Sequence, residues 1–158
     1  RWGVGEEVLQ GARRLLREPG ISVVREAMTA VEATQVHALH DPTEGGLATG
    51  VWEMAYAAGL GAEVELEAVP VLPECQAVCN ALGLDPLGVL ASGSLLIALA
   101  PQEAPQVLQA LGREGVPAAV IGRLRPREEG FRLRTKEGVG PLPQFPRDEV
   151  ARYLGGRG

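Results

Sequence analysis

Residues 36–58 constrain the fold of this chain more than any other stretch. They open Val-His-Ala-Leu-His-Asp-Pro-Thr-Glu-Gly-Gly-Leu-Ala-Thr-Gly and run on into an apolar segment. Val36–His40 is short, alternating and rich in β-compatible residues, which is the pattern of a strand. Asp41-Pro42 ends it, because the residue before proline is driven to extended geometry and cannot start a helix. From Leu47 onward the apolar positions Leu47, Val51, Met54, Ala55 and Ala58 fall at helical spacing. The unit reads strand, polar turn, helix, with a glycine pair at the helix entrance.

A helix entrance of this kind has a chemical use. The first backbone N–H groups of a helix lack partners inside it and lie at the positive end of its dipole, so they can hold an anion. Thr43 is the expected N-cap. Gly45 and Gly46 then fall in the first turn, where the missing side chains let a phosphate approach. His40 and Asp41, at the end of the strand, flank that position as proton-transfer or hydrogen-bonding groups, and Glu44 joins them as the third candidate catalytic residue. A carboxylate at Glu44 repels phosphate unless a cation intervenes. The same residues also make an ordinary strand-to-helix connection, with nothing bound. His37 and His40 are three apart, so on a strand they face opposite sides and do not act as a pair.

The chain has 158 residues, enough for one domain with a real core. A net charge of −5 gives no electrostatic footprint for nucleic acid. No apolar run is long enough to span a bilayer and no signal peptide is recognisable. Cys75 and Cys79 lack further ligands for a zinc site and read as buried free thiols, which points to a reducing, cytoplasmic setting. No metal ligands are expected in this chain.

Around the central unit, Glu6–Arg17 is an amphipathic helix with Val8, Ala12, Leu15 and Leu16 on one face. A second helix, capped by Ser22, is expected to bury Val24, Ala27, Met28 and Val31. Ala62–Ala68 alternates, with Val64 and Leu66 inward and Glu63, Glu65 and Glu67 on a solvated face. Pro73–Leu82 forms a helix ended by Gly83. Ser94–Leu99, with the apolar run Leu95–Leu99, reads as a central strand buried on both faces. Pro101 opens a helix burying Ala104, Val107, Leu108 and Leu111. Ala118–Leu124 is a strand, Phe131–Thr135 an edge strand, and 140–146 a Pro-rich connection before a short helix carrying Val150, Ala151 and Leu154. Trp52 and Tyr56 are four apart on the motif helix and are expected to cover the edge of the core, or to meet a nucleotide base or another domain. The order of elements suits a mixed sheet with helices packed on it.

The run from His40 to Gly50 resembles the glycine-rich motif of the C-terminal domain of the aminoimidazole ribonucleotide (AIR) synthase superfamily, nearest to its hydrogenase expression/formation (HypE) branch. Pro19-Gly20-Ile21-Ser22-Val23-Val24, Pro70-Val71-Leu72-Pro73, Gly83-Leu84-Asp85-Pro86-Leu87, Ser92-Gly93-Ser94-Leu95-Leu96 and Ile121-Gly122 extend the likeness in the right order. The resemblance implies an α+β domain, a three-layer α/β/α arrangement on a mixed sheet with partial ferredoxin-like topology. It places residues 19–154 in that domain, 1–18 as a helix leading from an N-terminal nucleotide-binding half, and 155–158 as a disordered tail. It also implies ATP with magnesium, most ligands lying in the N-terminal half, and phosphorylation of a carbamoyl- or amide-type oxygen during hydrogenase maturation. Thr43, Gly45 and Gly46 would touch phosphate, and the isolated domain would be inactive. The implied partners are the chain's own N-terminal domain, a second copy and another maturation protein, with neither nucleic acid nor membrane.

Three departures are visible. The chain ends without the terminal cysteine that carries the carbamoyl group in this branch. Glu44 stands where many members have arginine. An acidic residue common near Ser92-Gly93 is missing. Other activities of the superfamily (selenophosphate, thiamine phosphate or purine-pathway chemistry) and a non-catalytic, partner-binding module are the alternatives.

Overall fold

A computed structural model describes residues 3–156. Helices α1 (Glu6–Leu15), α2 (Val24–Ala33), α3 (Gly46–Ala57), α4 (Pro73–Leu82), α5 (Ala104–Arg113) and α6 (Glu149–Gly155) are interleaved with strands β1 (Val36–His40), β2 (Gly61–Glu65), β3 (Leu96–Leu99), β4 (Gly122–Arg125), β5 (Phe131–Thr135) and β6 (Gly138–Pro141). The fold is mixed α/β on a mixed sheet, as the sequence implies. The sheet is parted into two hydrogen-bonded pieces. In one, β1 pairs antiparallel with β3; the other runs β4-β2-β5-β6, with β2 and β5 parallel and the outer pairs antiparallel.

Helix α3 lies on the four-stranded piece. Ala48, Val51 and Ala55 pack with Ala62 and Val64 of β2, and with Leu87 and Leu142. Small residues are required on this helix because its backbone comes close to its neighbours. A Cβ at Gly50 would lie 2.5 Å from the ring of Pro42, whose side chain is fully buried. The Asp-Pro step therefore ends β1 and also seats the helix that follows. A second cluster, Ala30, Val107 and Leu111, joins α2 to α5 over Val36, Ile97 and Leu99 of β1 and β3. Each Val or Leu so buried stabilises the fold by about 1.5–3 kcal/mol.

Several expectations are corrected. Ser22 caps nothing: α2 starts at Val24 with no side-chain cap. The packed face of α2 is Ala30 and its small neighbours, while Val24, Met28 and Val31 are exposed; helical spacing marks a stripe without saying that a partner covers it. Leu16 lies beyond the end of α1 and is exposed. Strand β3 has one partner and is half-buried along its length, so it is not a central strand. Strand β5 is interior, because the Pro-rich stretch begins with a further strand, β6, that takes the edge. Leu66 and Glu67 belong to a 3-10 turn after β2. Helix α6 includes Gly155 and is closed by Gly156; the last two residues of the expected tail, and Arg1 and Trp2, lie outside the described residues.

Glu63 is not solvated. It is buried on β2 between Arg125 of β4 and Arg134 of β5, at 3.3 and 3.2 Å. The Arg134 guanidinium foremost, helped by Arg125, holds its carboxyl below the ordinary range against the opposing effect of burial. Cys75 and Cys79 are free, with their sulfurs 3.9 Å apart on α4. Burial first, then the neighbouring Cys75, pushes the Cys79 thiol up to about 12. No helix among the described residues is long and apolar enough to cross a membrane.

Candidate functional site

The glycine turn sits where sequence places it, between β1 and α3, but its amides are already in use. Gly45 has φ +78° and precedes the helix; Gly46 has φ +68°. Thr43 is not the cap, since no side chain caps α3. Its carbonyl oxygen instead accepts from the N–H of Gly46 at 3.1 Å and of Ala91 at 3.2 Å. The N–H of Gly45 donates to Asp148 Oδ2 at 3.0 Å, within the protein, and that of Ala48 donates to Leu87 O at 3.0 Å. Both glycines are buried. The expectation of open amides at Gly45 and Gly46 is therefore not met in this state, and the closed turn does not fit a nucleotide phosphate.

The reason both positions are glycine is positional. Besides the left-handed backbone, which side chains resist, a Cβ at Gly46 would lie 2.5 Å from Leu87 O and 2.6 Å from Val89 O, and one at Gly45 would collide with the Thr49 side chain. The 85–91 loop is thus clasped onto the turn. The start of α6 completes the node. Asp148 caps α6 through Val150 N at 2.8 Å while its other oxygen holds Gly45. Glu149 Oε2 accepts from Asp85 N at 3.0 Å, and Glu149 N donates to Gly88 O at 3.0 Å. Arg152 pairs with Glu149 at 2.5 and 2.8 Å and holds its carboxyl below the ordinary range.

Outside this node the turn presents a polar rim. Asp41, Thr43 and Glu44 are exposed and His40 is half-buried. His40 Nε2 lies 2.8 Å from Oε2 of Glu53, in the second turn of α3. A carboxylate only accepts, so Nε2 carries the proton in this pair, and in the neutral ring Nδ1 keeps its lone pair. The pair has the form of an acid-base group held by a carboxylate. The structure therefore brings His40, Asp41, Thr43 and Glu44 together as one surface and separates them from Gly45 and Gly46, which face inward.

Beside the turn, Thr49, Trp52, Phe131, Leu142 and Phe145 line an open cavity of about 310 Å³. Trp52 stacks on Tyr56 with ring centroids 4.6 Å apart and lies 6.0 Å from Phe131. Tyr56 is 56% exposed, so of the pair only Trp52 approaches the edge of the core, through Phe131, and it is also a cavity wall. Four residues of the site went unread in the sequence: Glu53, Thr49, Asp148 and Glu149. Asp148-Glu149 before an apolar helix is a capping signal that could have been found. Glu53 has no local signal, because its importance comes from a strand end folding back beside it.

Comparison with known proteins agrees with this architecture. The family described as AIR synthase related protein, C-terminal domain, matches residues 6–133. Carbamoyl dehydratase HypE of Escherichia coli is 41% identical over 116 residues, covering 72% of this chain and 34% of that protein. A putative hydrogenase expression/formation protein of Methanocaldococcus jannaschii is 33% identical over 106 residues, covering 66% of this chain and 32% of that protein. The crystal structure of E. coli HypE superposes with TM-score 0.73 at 36% identity, over 83% of this chain and 42% of that one. A crystal structure of HypE in complex with ATP gives TM-score 0.70 at 32% identity, over 78% and 40%. The chain spans about a third of the length of these curated relatives. By sequence and fold together, it belongs to the AIR synthase related family, as the C-terminal domain.

Proposed function

We propose that this chain is the C-terminal domain of a HypE-like, ATP-dependent enzyme that activates a carbamoyl- or amide-type oxygen by phosphorylation, in hydrogenase maturation. The observation that carries this reading is the His40–Gly50 motif, folded as strand, turn and helix in a chain that is 41% identical to E. coli HypE over 116 residues. The contribution of this domain is its rim. His40, positioned by Glu53, is an acid-base group for the acceptor. Asp41 and Thr43 orient polar groups beside it. Glu44 adds negative charge where a nucleotide would approach, so an accompanying cation such as magnesium is part of the reading. The nucleotide itself is held mainly by the N-terminal half of the longer protein, and this domain docks against that half.

The test uses the longer protein that contains this sequence. With ATP, magnesium and a carbamoyl donor, it is expected to release a phosphorylated or dehydrated product, and His40→Ala to abolish that release while leaving the protein folded. Absence of any nucleotide turnover in the unaltered protein would favour a non-catalytic, partner-binding role instead.

A further inference from the structure

The cavity beside the turn is walled mainly by rings. Trp52 of α3, Phe131 of β5, and Pro143 and Phe145 of the 142–146 connection line it, with Thr49 and Gln144 as its polar members. Among the described residues no charged side chain lines it. Its volume of about 310 Å³ stands at the lower end of small-molecule sites, which span about 300–1,000 Å³. We propose that this cavity is a binding site for one neutral, planar heteroaromatic ring of nucleobase size, stacked among Trp52, Phe131 and Phe145. The site is separate from the nucleotide site placed above in the N-terminal half, and the proposal does not rest on that reading.

The walls are held in place before anything binds. Trp52 is stacked on Tyr56 with the two planes within 13°, and the Arg127 guanidinium lies 6.0 Å over the Tyr56 ring. Phe131 is fixed in β5, and its carbonyl accepts from Leu142 N at 3.0 Å, which ties the 142–146 connection to the strand. The Phe145 ring lies against the backbone at Gly88, where a Cβ would come within 2.4 Å of it. Gly88 is itself held: its N–H donates to Asp85 O and its carbonyl accepts from Glu149 N, both at 3.0 Å. Walls fixed in this way lose little freedom when a ligand enters. Aromatic faces pair best with another π system, so a saturated ligand forgoes that gain. A charged ring would give up its hydration here with no counter-ion to replace it. A wholly apolar ring would leave the Thr49 hydroxyl and the Gln144 amide unused, and among the described residues neither side chain has a hydrogen-bond partner. A neutral heteroaromatic ring with donors and acceptors on its edge meets all three conditions.

The experiment uses the longer protein that contains this sequence. Azidoadenosine is photolysed on it and the attachment point is found by mass spectrometry; adenosine affinity at the site is read from protection against that cross-link. The expected result is a cross-link in the peptides carrying Trp52 or residues 142–146, with saturable protection by adenosine. Trp52→Ala is expected to weaken adenosine about tenfold or more, the loss that follows when a base can no longer stack on an aromatic side chain, and Trp52→Phe to weaken it by no more than about threefold. Magnesium ATP as competitor separates the sources of the ring. Protection by it makes the ring the base of a nucleotide, lack of protection makes it a free base or nucleoside, and either result keeps the site. A cross-link found only elsewhere in the protein, protection by cyclohexanol equal to that by adenosine, or an affinity that Trp52→Ala leaves unchanged overturns the proposal. The position of the cross-link in the unaltered protein decides the matter even where a variant does not fold.

Discussion

Glu53 Oε2 stands 2.8 Å from His40 Nε2, so a residue in the second turn of α3 sets the imidazole at the end of β1. Both side chains are partly open to solvent, 30% for His40 and 51% for Glu53. An exposed pair of this kind is worth about 0–1 kcal/mol to stability. If its purpose is chemical, the two readouts separate. In the longer protein His40→Ala is expected to lower ATP-dependent turnover by about 10²-fold or more, and Glu53→Gln by about tenfold, with unfolding free energy unchanged within ~1 kcal/mol. Steady-state kinetics and urea melts on the same preparations check this. A loss of stability that matches the loss of rate would make the pair structural.

The two glycines of the turn differ in what blocks a side chain. At Gly46 the obstacles are the backbone oxygens of Leu87 and Val89, which cannot step aside. At Gly45 the obstacle is the Thr49 side chain. Gly46→Ala is therefore expected to cost about 3 kcal/mol or more, strain and collision together. Gly45→Ala should cost less, and adding Thr49→Ala should recover the part of the collision made by the Thr49 hydroxyl, leaving a tight approach of the residual Cβ at 2.9 Å and the ~1–2 kcal/mol of left-handed strain. Equal costs at the two positions in urea unfolding, or no coupling between positions 45 and 49, would contradict this account.

Much of this architecture is legible from local pattern. Pro73–Leu82 and Val36–His40 carry their own stop signals, Gly83 and Asp41-Pro42, and both elements have the bounds the sequence assigns. What local pattern lacks is the identity of the neighbour. Val24, Met28 and Val31 have the spacing of a buried stripe, yet α5 packs on the Ala30 side of α2 instead. Glu63 has the alternation of a solvated face, yet β4 and β5 place arginines on both sides of it. The site divides in the same way. The strand-turn-helix could be read from consecutive residues. The bond from Gly45 N to Asp148 spans more than a hundred positions and has no trace in either segment alone.

Glu63 and Glu149 make acid stability testable. Arg134 holds the first carboxyl below its ordinary value and Arg152 the second. A folded value below the unfolded one, about 4.3 for Glu, means the stabilisation is complete above that pH. It fades as pH falls through the lower folded value. Glu63→Gln should therefore be less stable than the unaltered chain at pH 7, and the gap should narrow below about pH 4. Urea melts from pH 7 to 3 measure it. A gap that stays constant down to pH 3 would mean that the arginines do not act through the charge of Glu63.

Cys79 gives the opposite slope at the alkaline end. Burial, with Cys75 next to it, pushes the folded thiol up to about 12, whereas an unfolded thiol ionises near about 8.5. Between those values the unfolded chain binds fewer protons at this site than the folded one, so stability falls as pH rises. Cys79→Ala removes the site. It should be less stable by about 1 kcal/mol at pH 7, from the small cavity left on α4, and should lose less stability than the unaltered chain between pH 7 and 10. Thiol labelling gives the second check: half-buried Cys75 should react in the folded chain and Cys79 only on unfolding. Equal labelling rates, or identical alkaline slopes with and without Cys79, would show that the α4 thiol is open to solvent rather than enclosed.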